Sequence, residues 1–442
     1  MIPSDPSSLA PIQVGIVGAG PAGLTTALAL EAYTSPARCQ ITIVERNRSA
    51  IDYPGVEYGI QARACRALDR IGIKERALHR GLRAHEIRFF NSRLGKAFRP
   101  IQSDPDNTRC VIRQEFLADM AALLRRTRFI RQRRVTRYEI LPDDAVRLVS
   151  DANEEGTPPE FDVVIACDGS FSAARRQFFP ESATKTDRGF SCIYMLVEPK
   201  DFRDTSEEYL ALANGGSSEI IMGQLCTLTL FPMGKDRLAY GIGFDHSTKQ
   251  ALWSAQGLDP ETVWADLSAA QKEAIARALV QDASGGKAVY QDALDHIMDW
   301  DSYTIYLWKM QDTDPLVRPF PSSGNVLLIG DAAHALMPTI GMGASLAIED
   351  AEAVGRRLAD HVGASGTAEA FRRTVRGAVF APIARDRVPI WQELVRRARL
   401  AAQENFIDVG SKRRFAIGPA IPNDTLSRVV SAAEGVLRRL NR

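Results

Sequence analysis

A chain of 442 residues with 45% hydrophobic and 25% charged residues holds enough apolar material for two or three packed domains and is not a disordered polymer. Its formal net charge of +1 offers no global field for nucleic acid or an anionic membrane, so no nucleic-acid partner is expected. No uncharged apolar run reaches the roughly 18 residues of a membrane span. The start "MIPSDPSSLAP" lacks the basic and apolar regions of a signal peptide, so a cytoplasmic protein is expected.

In chain order, Gln13 to Val17 is an apolar, strand-like run, followed by Gly18-x-Gly20-x-x-Gly23 and a helix from about Pro21 to Tyr33. The next strand, "CQITIVER", carries Glu45 and Arg46 at its end and completes a β-α-β unit. "GIQARACRALDRIGIKERAL" reads as helix, with Leu68, Ile71 and Ile73 apolar; "AHEIRFFNS" and "KAFRPI" read as strands of a separate sheet; "VIRQEFLADMAALLRR" returns to helix. The basic run "RRTRFIRQRRVTR", Arg125 to Arg137, reads as a solvated helix end and edge strand rather than an anion clamp. Residues 133–168 read as a β-hairpin with "DANEEGTPP" as its turn and "FDVVIACDG" as a buried strand.

From about Phe190 to Phe244 strands dominate, and a long helix is expected over Pro260 to Gln281. "SYTIYLW", the strand "NVLLIGD", a glycine-rich loop and helices complete the chain, ending in the amphipathic stretch "NDTLSRVVSAAEGVLRRLNR". Cys39, Cys65, Cys110, Cys167, Cys192 and Cys226 form no C-x-x-C pair, and the histidines do not join them at metal-ligand spacing. Reduced thiols and no protein-bound metal are expected.

The first glycine loop aims backbone N–H groups and a positive helix end at whatever lies before it, which suits a pyrophosphate. Gly18 permits the tight turn, Gly20 the approach of phosphate and Gly23 the packing of helix on strand, with Pro21 and Ala22 opening the helix. Glu45 can accept hydrogen bonds from a ribose 2′-OH and would repel a 2′-phosphate, so this end, with Arg46, suits FAD or NAD.

More than 300 positions later, "GDAAHALMPTIGMGASLAIEDA" (Gly330 to Ala351) repeats the pattern of strand end, glycine-rich loop and helix start. This stretch resembles the second flavin motif of the class A flavoprotein monooxygenases, the p-hydroxybenzoate hydroxylase-like aromatic hydroxylases. "CDGSFSAAR", Cys167 to Arg175, is similar to their D-G-x-x-S-x-x-R motif. "VIRQEFLADM", Val111 to Met120, is similar to the segment whose arginine and glutamine, here Arg113 and Gln114, approach the flavin phosphates and ribityl chain. With the N-terminal fingerprint, four motifs stand in the family's order from about residue 12 to 395.

The resemblance implies an α/β fold: a Rossmann-like FAD domain (residues 1–80, 107–188 and 319–365), a sheet-rich substrate domain (81–106 and 189–318) and C-terminal helices (366–442). It implies one non-covalent FAD, its ADP end on the first loop and Gly330 with Asp331 at the ribityl–pyrophosphate region. Pro338, Gly341, Met342, Gly343, Ala344 and Ser345 would present a helix start to the isoalloxazine ring. Where the family often has G-Q-G-x-N, this chain has Gly341 to Ser345, so its ring contacts would be backbone donors. Asp168 and Arg175 would lie near the flavin and the docking nicotinamide, while His334 is read as structural.

The implied cycle is reduction of FAD by NADH or NADPH, addition of O2 to give a C4a-hydroperoxide, and oxygen transfer to an electron-rich aromatic or polycyclic small molecule. The protein would supply position, dryness and charge, as a monomer or homodimer. For substrate contact, "RLAYGIGF" places Leu238, Tyr240, Ile242 and Phe244 on one strand face, making Tyr240 the catalytic candidate beside Pro338; Arg88 and His85 are weaker. A flavin-dependent halogenase, a flavin reductase and a non-enzymatic FAD-binding protein are the rivals, and the halogenase signature W-x-W-x-I-P is absent.

Overall fold

A computed structural model describes residues 10–49, 55–92, 95–104, 108–151, 159–199, 205–284, 287–302 and 304–406. Apolar runs too continuous for a one-sided sheet form its centre. Val326–Leu328, Val163–Ala166, Ile12–Val17, Cys39–Val44 and Arg128–Ile130 line up in that order as a five-stranded, all-parallel sheet. Parallel strands need covered crossovers, and the helix Pro21–Tyr33 supplies the first of them.

The second sheet has eight strands, with Tyr306–Asp312, Thr186–Val197, Arg237–Asp245, Thr227–Gly234, Ser217–Met222, Glu86–Asn91 and Lys96–Ala97 in sequence, and Ile101–Gln102 also paired with Glu86–Asn91. Its pairings are antiparallel except that between Ser217–Met222 and Glu86–Asn91. One face packs on Trp253, Ile275, Leu279, Val280 and Leu294 of the helices Ala269–Ser284, Val289–Asp295 and their neighbours. A small sheet of Glu57–Ile60, Arg109–Ile112 and Leu82–Arg83 lies against the opposite face, joined through Val56, Cys110, Ile112 and Ala239.

Three local expectations are corrected. The region expected as one hairpin holds two turns: Val135–Ile140/Val146–Ser150 turns through "LPDDA", where Leu141 N donates to Ala145 O, while "DANEEGTPP", mostly outside the described residues, joins the antiparallel pair Val146–Ser150/Glu160–Phe161 as expected. The expected 260–281 helix begins only at Ala269, after a short turn at Trp264–Asp266. The helix expected through Ile71 and Ile73 breaks into Ala62–Arg70 and Lys74–Ala77 at Gly72, whose φ is +69°. The amphipathic C-terminal stretch lies outside the described residues.

The helices that follow the two glycine-rich loops, Pro21–Tyr33 and Gly343–Ala364, pack on each other. Small residues make this possible: a Cβ on Gly355 would press into Ala29, and one on Gly330 would sit 3.2 Å from the Ala22 methyl. The longer helix is tied to Ala381–Phe406 by a buried polar cluster. Asp350 Oδ1 accepts from Arg387 Nε (2.6 Å) and Trp391 Nε1 (3.0 Å), and Asp350 Oδ2 meets His334 Nε2 at 2.6 Å. Burial alone would raise the Asp350 carboxyl, but Arg387 and His334 outweigh it and hold the carboxyl below its usual range.

Removing one partner from such a cluster leaves an uncompensated buried charge. Arg387→Met should therefore cost about 3–5 kcal/mol of stability, read as a lowered denaturation midpoint. Arg385→Met, on a side chain 72% exposed and paired only at the surface with Asp386, should shift it by less than about 0.5 kcal/mol.

Candidate functional site

One continuous cavity of about 1200 Å³ runs from the Gly18–Ala22 turn, past Gly341–Ala344, to the open face of the eight-stranded sheet. Small-molecule sites usually occupy roughly 300–1000 Å³, so this space exceeds the needs of one ordinary ligand.

At its first end, two glycines are demanded by the fold and one by what enters. Gly18 has φ +101° and a Cβ there would overlap Cys167 O, while a Cβ on Gly23 would overlap Gly18 O. Around Gly20 no protein atom lies within 4 Å of the Cβ position, so that space opens on the cavity. Pro21 and Ala22 line it too. Glu45 lines it and fixes the loop: Oε2 accepts from Ala19 N (2.7 Å) and Oε1 from Asn47 N (2.8 Å). Each oxygen keeps a lone pair for a further donor. Arg46, Arg131, Arg133 and Arg134 also line the cavity, although the basic run keeps its expected place as an edge strand with Arg131 and Arg134 exposed. Arg126 of that run is structural, donating to Cys39 O, Leu30 O and Thr34 O.

In the middle of the cavity the motif residues divide. Arg113 lines it, with Nε donating to Tyr58 Oη at 2.9 Å, but Gln114 turns away and donates to Gly55 O at 2.7 Å. Asp168 lines it; Oδ2 accepts from Ala173 N (2.7 Å) and Ala174 N (3.2 Å), Oδ1 is buried without a partner, and burial raises the carboxyl. Arg175 does not reach the cavity, contrary to expectation. Its guanidinium is spent on carbonyls, donating to Ser182 O (2.8 Å), Ala333 O (2.9 Å) and Asp314 O (2.5 Å). It fastens the Asp168 segment to the backbone just after Asp331.

Asp331 opens on the cavity; the surrounding protein raises its carboxyl, opposed by His334 and Lys185. Gly330 lies behind it, off the cavity wall. Pro338, Gly341, Gly343 and Ala344 line the wall, and Thr339 Oγ1 donates to Ala398 O (2.7 Å), pinning their turn to the C-terminal helix. Met342 also borders the cavity, but its side chain is 3% exposed and packs in the core with Leu346 and Trp391. Ser345 faces elsewhere, accepting from Gln61 N and donating to Gly59 O. His334 is fully buried against Asp350 and the Trp391 ring, as a structural residue should be.

At the far end the substrate candidate is corrected. Tyr240 is fully buried on the opposite face of its strand, where its hydroxyl donates to Tyr290 O at 3.3 Å. The cavity face of that strand is the other alternation, Gly241 and Gly243. Two missing side chains there hollow out a chamber walled by Cys192, Tyr194, Thr229, Phe231, Tyr306 and Trp308. Tyr194 and Tyr306 stand opposite each other in register and stack with centroids 5.5 Å apart. Arg88 is half exposed and paired with Glu86, and neither it nor His85 borders the cavity.

Sequence reasoning missed Glu57, Tyr194, Tyr306 and Lys185. Lys185 Nζ donates to Ser170 Oγ (3.0 Å) over the Phe171 ring, at the cavity wall. The alternation around Gly241 carried a signal for the tyrosines; nothing local marks Glu57. Among the described residues no cluster of three or more His, Cys, Asp or Glu is arranged to hold a metal ion.

Residues 11–372 match the family model of the FAD binding domain. Curated relatives include the flavin-dependent monooxygenase pboD of Aspergillus ustus, 25% identical over 236 residues, which spans 47% of this chain and 45% of that protein. The phenazine 1,6-dicarboxylic acid hydroxylase PhzS of Lysobacter antibioticus is 27% identical over 82% of this chain and 85% of its own. The 3-amino-4-hydroxybenzoate 2-monooxygenase of Streptomyces cremeus is 26% identical, covering 90% and 89%. Among solved structures, Klebsiella pneumoniae HpxO complexed with FAD and uric acid superposes with a TM-score of 0.68 at 19% identity, over 97% of this chain and 95% of that one.

The glycine geometry separates folding from ligand binding. Gly20→Ala should leave the stability of the flavin-free protein within about 0.5 kcal/mol, because its methyl meets no protein atom. The same methyl should weaken FAD binding at least about tenfold by filling the approach of the phosphate. Gly23→Ala should fail at folding itself. Melting curves with and without FAD check both, and a Gly20→Ala protein with unchanged affinity would move the phosphate elsewhere.

Proposed function

Because the chain belongs to the FAD binding domain family and is, with its curated relatives, an FAD-dependent monooxygenase, we propose that it uses NADH or NADPH and O2 to hydroxylate, or epoxidise, an electron-rich aromatic or polycyclic small molecule. The observation that carries this reading is the continuity of the cavity from the Gly20 opening, past the helix start at Gly343, into the aromatic chamber over Gly241 and Gly243. A dinucleotide dehydrogenase has no use for the second helix start, and a binding protein has none for the chamber.

The residues fit FAD. The open side of Gly20 and the first helix start suit a pyrophosphate, and Glu45 retains acceptor capacity for a ribose hydroxyl. The unpartnered Asp168 Oδ1 and the carboxylate of Asp331 suit hydroxyls of the ribityl chain. Gly341, Gly343 and Ala344, with the 22-residue helix behind them, suit the ring. When bound, FAD supplies two-electron reduction and oxygen activation.

What this chain adds is placement and charge. The N-terminus of Gly343–Ala364 stabilises negative charge arising before it. The turn Pro338–Ile340 is held by Thr339 on Ala398, so the ring's edge would meet a fixed wall. The aromatic wall suits the exclusion of water from the reacting region. Among the described residues no helix is long and apolar enough to cross a membrane. All six cysteines are buried and unpaired, which suits a cytoplasmic, reducing compartment.

The direct test is O2 uptake by the FAD-loaded protein with NADH or NADPH, across aromatic candidates, with the product analysed for one oxygen atom derived from labelled O2. Ligand reduction without O2 uptake would place the chain among flavin reductases instead. A second test addresses the helix start. Ala344→Glu puts a carboxylate at a positive helix end, where charge effects run about 0.3–2 kcal/mol. For a two-electron couple roughly 30 mV corresponds to 1.4 kcal/mol, so the bound flavin's midpoint potential should fall by about ten to forty millivolts. Ala344→Gln should move it far less. Equal potentials in the two variants, with FAD still bound, would mean that this loop does not face the ring.

A further inference from the structure

We propose that the Glu57 carboxylate accepts a hydrogen bond from a hydroxyl or amino group on the aromatic substrate, and takes the hydroxyl proton as the ring is oxygenated. The chamber is accordingly built for hydroxy- or amino-substituted aromatics and heteroaromatics rather than aromatic carboxylates. This deepens the monooxygenase reading and rests on it.

Glu57 opens the short strand Glu57–Ile60, which pairs antiparallel with Arg109–Ile112 and faces the large sheet. Its side chain lines the cavity, and Oε2 is buried with no hydrogen-bond partner. A buried carboxylate oxygen left without a donor costs free energy in every folded molecule, unless a ligand supplies the donor.

The groups around Glu57 supply no counter-charge. Cys110 is beside it, while Cys192, Tyr194 and Tyr306 face it from the large sheet, and its charge adds to burial in raising all four. The nearby cation, Arg113, is directed at Tyr58, donating to Oη and lying 5.9 Å from the ring centroid. The cavity face of the sheet itself contributes Cys192, Tyr194, Thr227, Thr229, Tyr306 and Trp308, none of them basic. A substrate carboxylate at Glu57 would meet a like charge, and other cations of the cavity wall are already engaged, Arg113 with Tyr58 and Arg396 and Arg397 with Glu393. A hydroxyl or amino group brings the missing donor.

Burial pushes the Glu57 carboxyl up to about 7, opposed only by its own backbone N–H. That places its ionisation where a general base works near neutral pH. In the transfer, the substrate O–H bond breaks, its electron pair stays on oxygen and enriches the ring, and the proton forms an O–H bond at Glu57 Oε2. The proton leaves to solvent after product release, so the carboxylate is restored.

The test uses the FAD-loaded protein and three probes of one shape, a naphthol, its methyl ether and the matching naphthoate, titrated against the flavin's visible absorbance. Wild type should bind the naphthol on the order of tenfold more tightly than either other probe, with affinity rising as pH increases through about 7. Glu57→Gln should keep its FAD, lose that preference and show a flat pH profile. Because the carboxyl titrates near 4.5 unfolded and about 7 folded, the native protein holds the extra proton between these values and loses stability as pH rises. Without any ligand, Glu57→Gln should therefore gain melting temperature over wild type between pH of about 5 and about 8.

A naphthoate that binds as well as the naphthol, a preference unchanged in Glu57→Gln, or a naphthol that does not bind would each overturn the proposal. If Glu57→Gln does not fold, wild-type selectivity and its pH profile still decide. Protein that takes up no FAD or consumes no O2 sinks the monooxygenase reading; FAD-loaded, O2-consuming protein without this selectivity sinks only the role of Glu57.

Discussion

The close packing of two helices through small residues is the constraint on which the site depends. Pro21–Tyr33 and Gly343–Ala364 can lie side by side because Gly355 leaves room for Ala29 and Gly330 lies close to both Ala22 and Ala347. Their contact brings two helix N-termini, more than 300 residues apart in sequence, to one cavity. Each end contributes unsatisfied N–H groups and a partial positive charge. A ligand with an anionic middle and a ring that becomes anionic on reduction needs two such ends at a fixed spacing, and a rigid helix pair provides it.

The same logic explains why so many motif residues never touch the cavity. Arg175 is expected near the flavin and the docking nicotinamide, yet its donors are spent on carbonyls that fasten the Asp168 segment to the backbone after Asp331. Gln114 likewise anchors Gly55, and Ser345 stitches the long helix to the strand that begins with Glu57. Asp350, His334, Arg387 and Trp391 form a second support for the long helix behind the Gly341–Ala344 stretch of the cavity wall. On this reading a few exposed backbone groups would do the binding, and a larger buried set of side chains determines where those groups stand.

Much of the architecture was legible because its signals are local. The β-α-β unit, the apolar strands of the parallel sheet and both glycine loops rest on period and turn chemistry that a short window contains. What could not be read depends on which face of an element meets the rest of the chain. Alternation correctly grouped Leu238, Tyr240, Ile242 and Phe244, but it cannot say whether that face meets helices or a cavity. The discriminating feature was the opposite face, Gly241 and Gly243, because a strand that gives up two side chains on one side is making room there. The turn at Leu141–Ala145 was missed beside a longer polar segment that also joins antiparallel strands.

Glu57 is illegible for a different reason. A lone glutamate ahead of a short strand is ordinary in sequence, and its meaning comes from the Tyr194–Tyr306 stack and the Gly241–Gly243 hollow, brought to it from far along the chain. Folding alone gains nothing by holding a carboxylate there without a partner, and a glutamine or leucine would be cheaper. Arg113 would have been an obvious counter-ion, yet it is turned to Tyr58. An acid kept apart from a cation that could have paired with it retains a proton affinity suited to exchange near neutral pH; paired, it would have become a fixed salt bridge. The stability forgone at this position and the proton affinity obtained there have one cause, the absence of a donor that only an incoming ligand can bring.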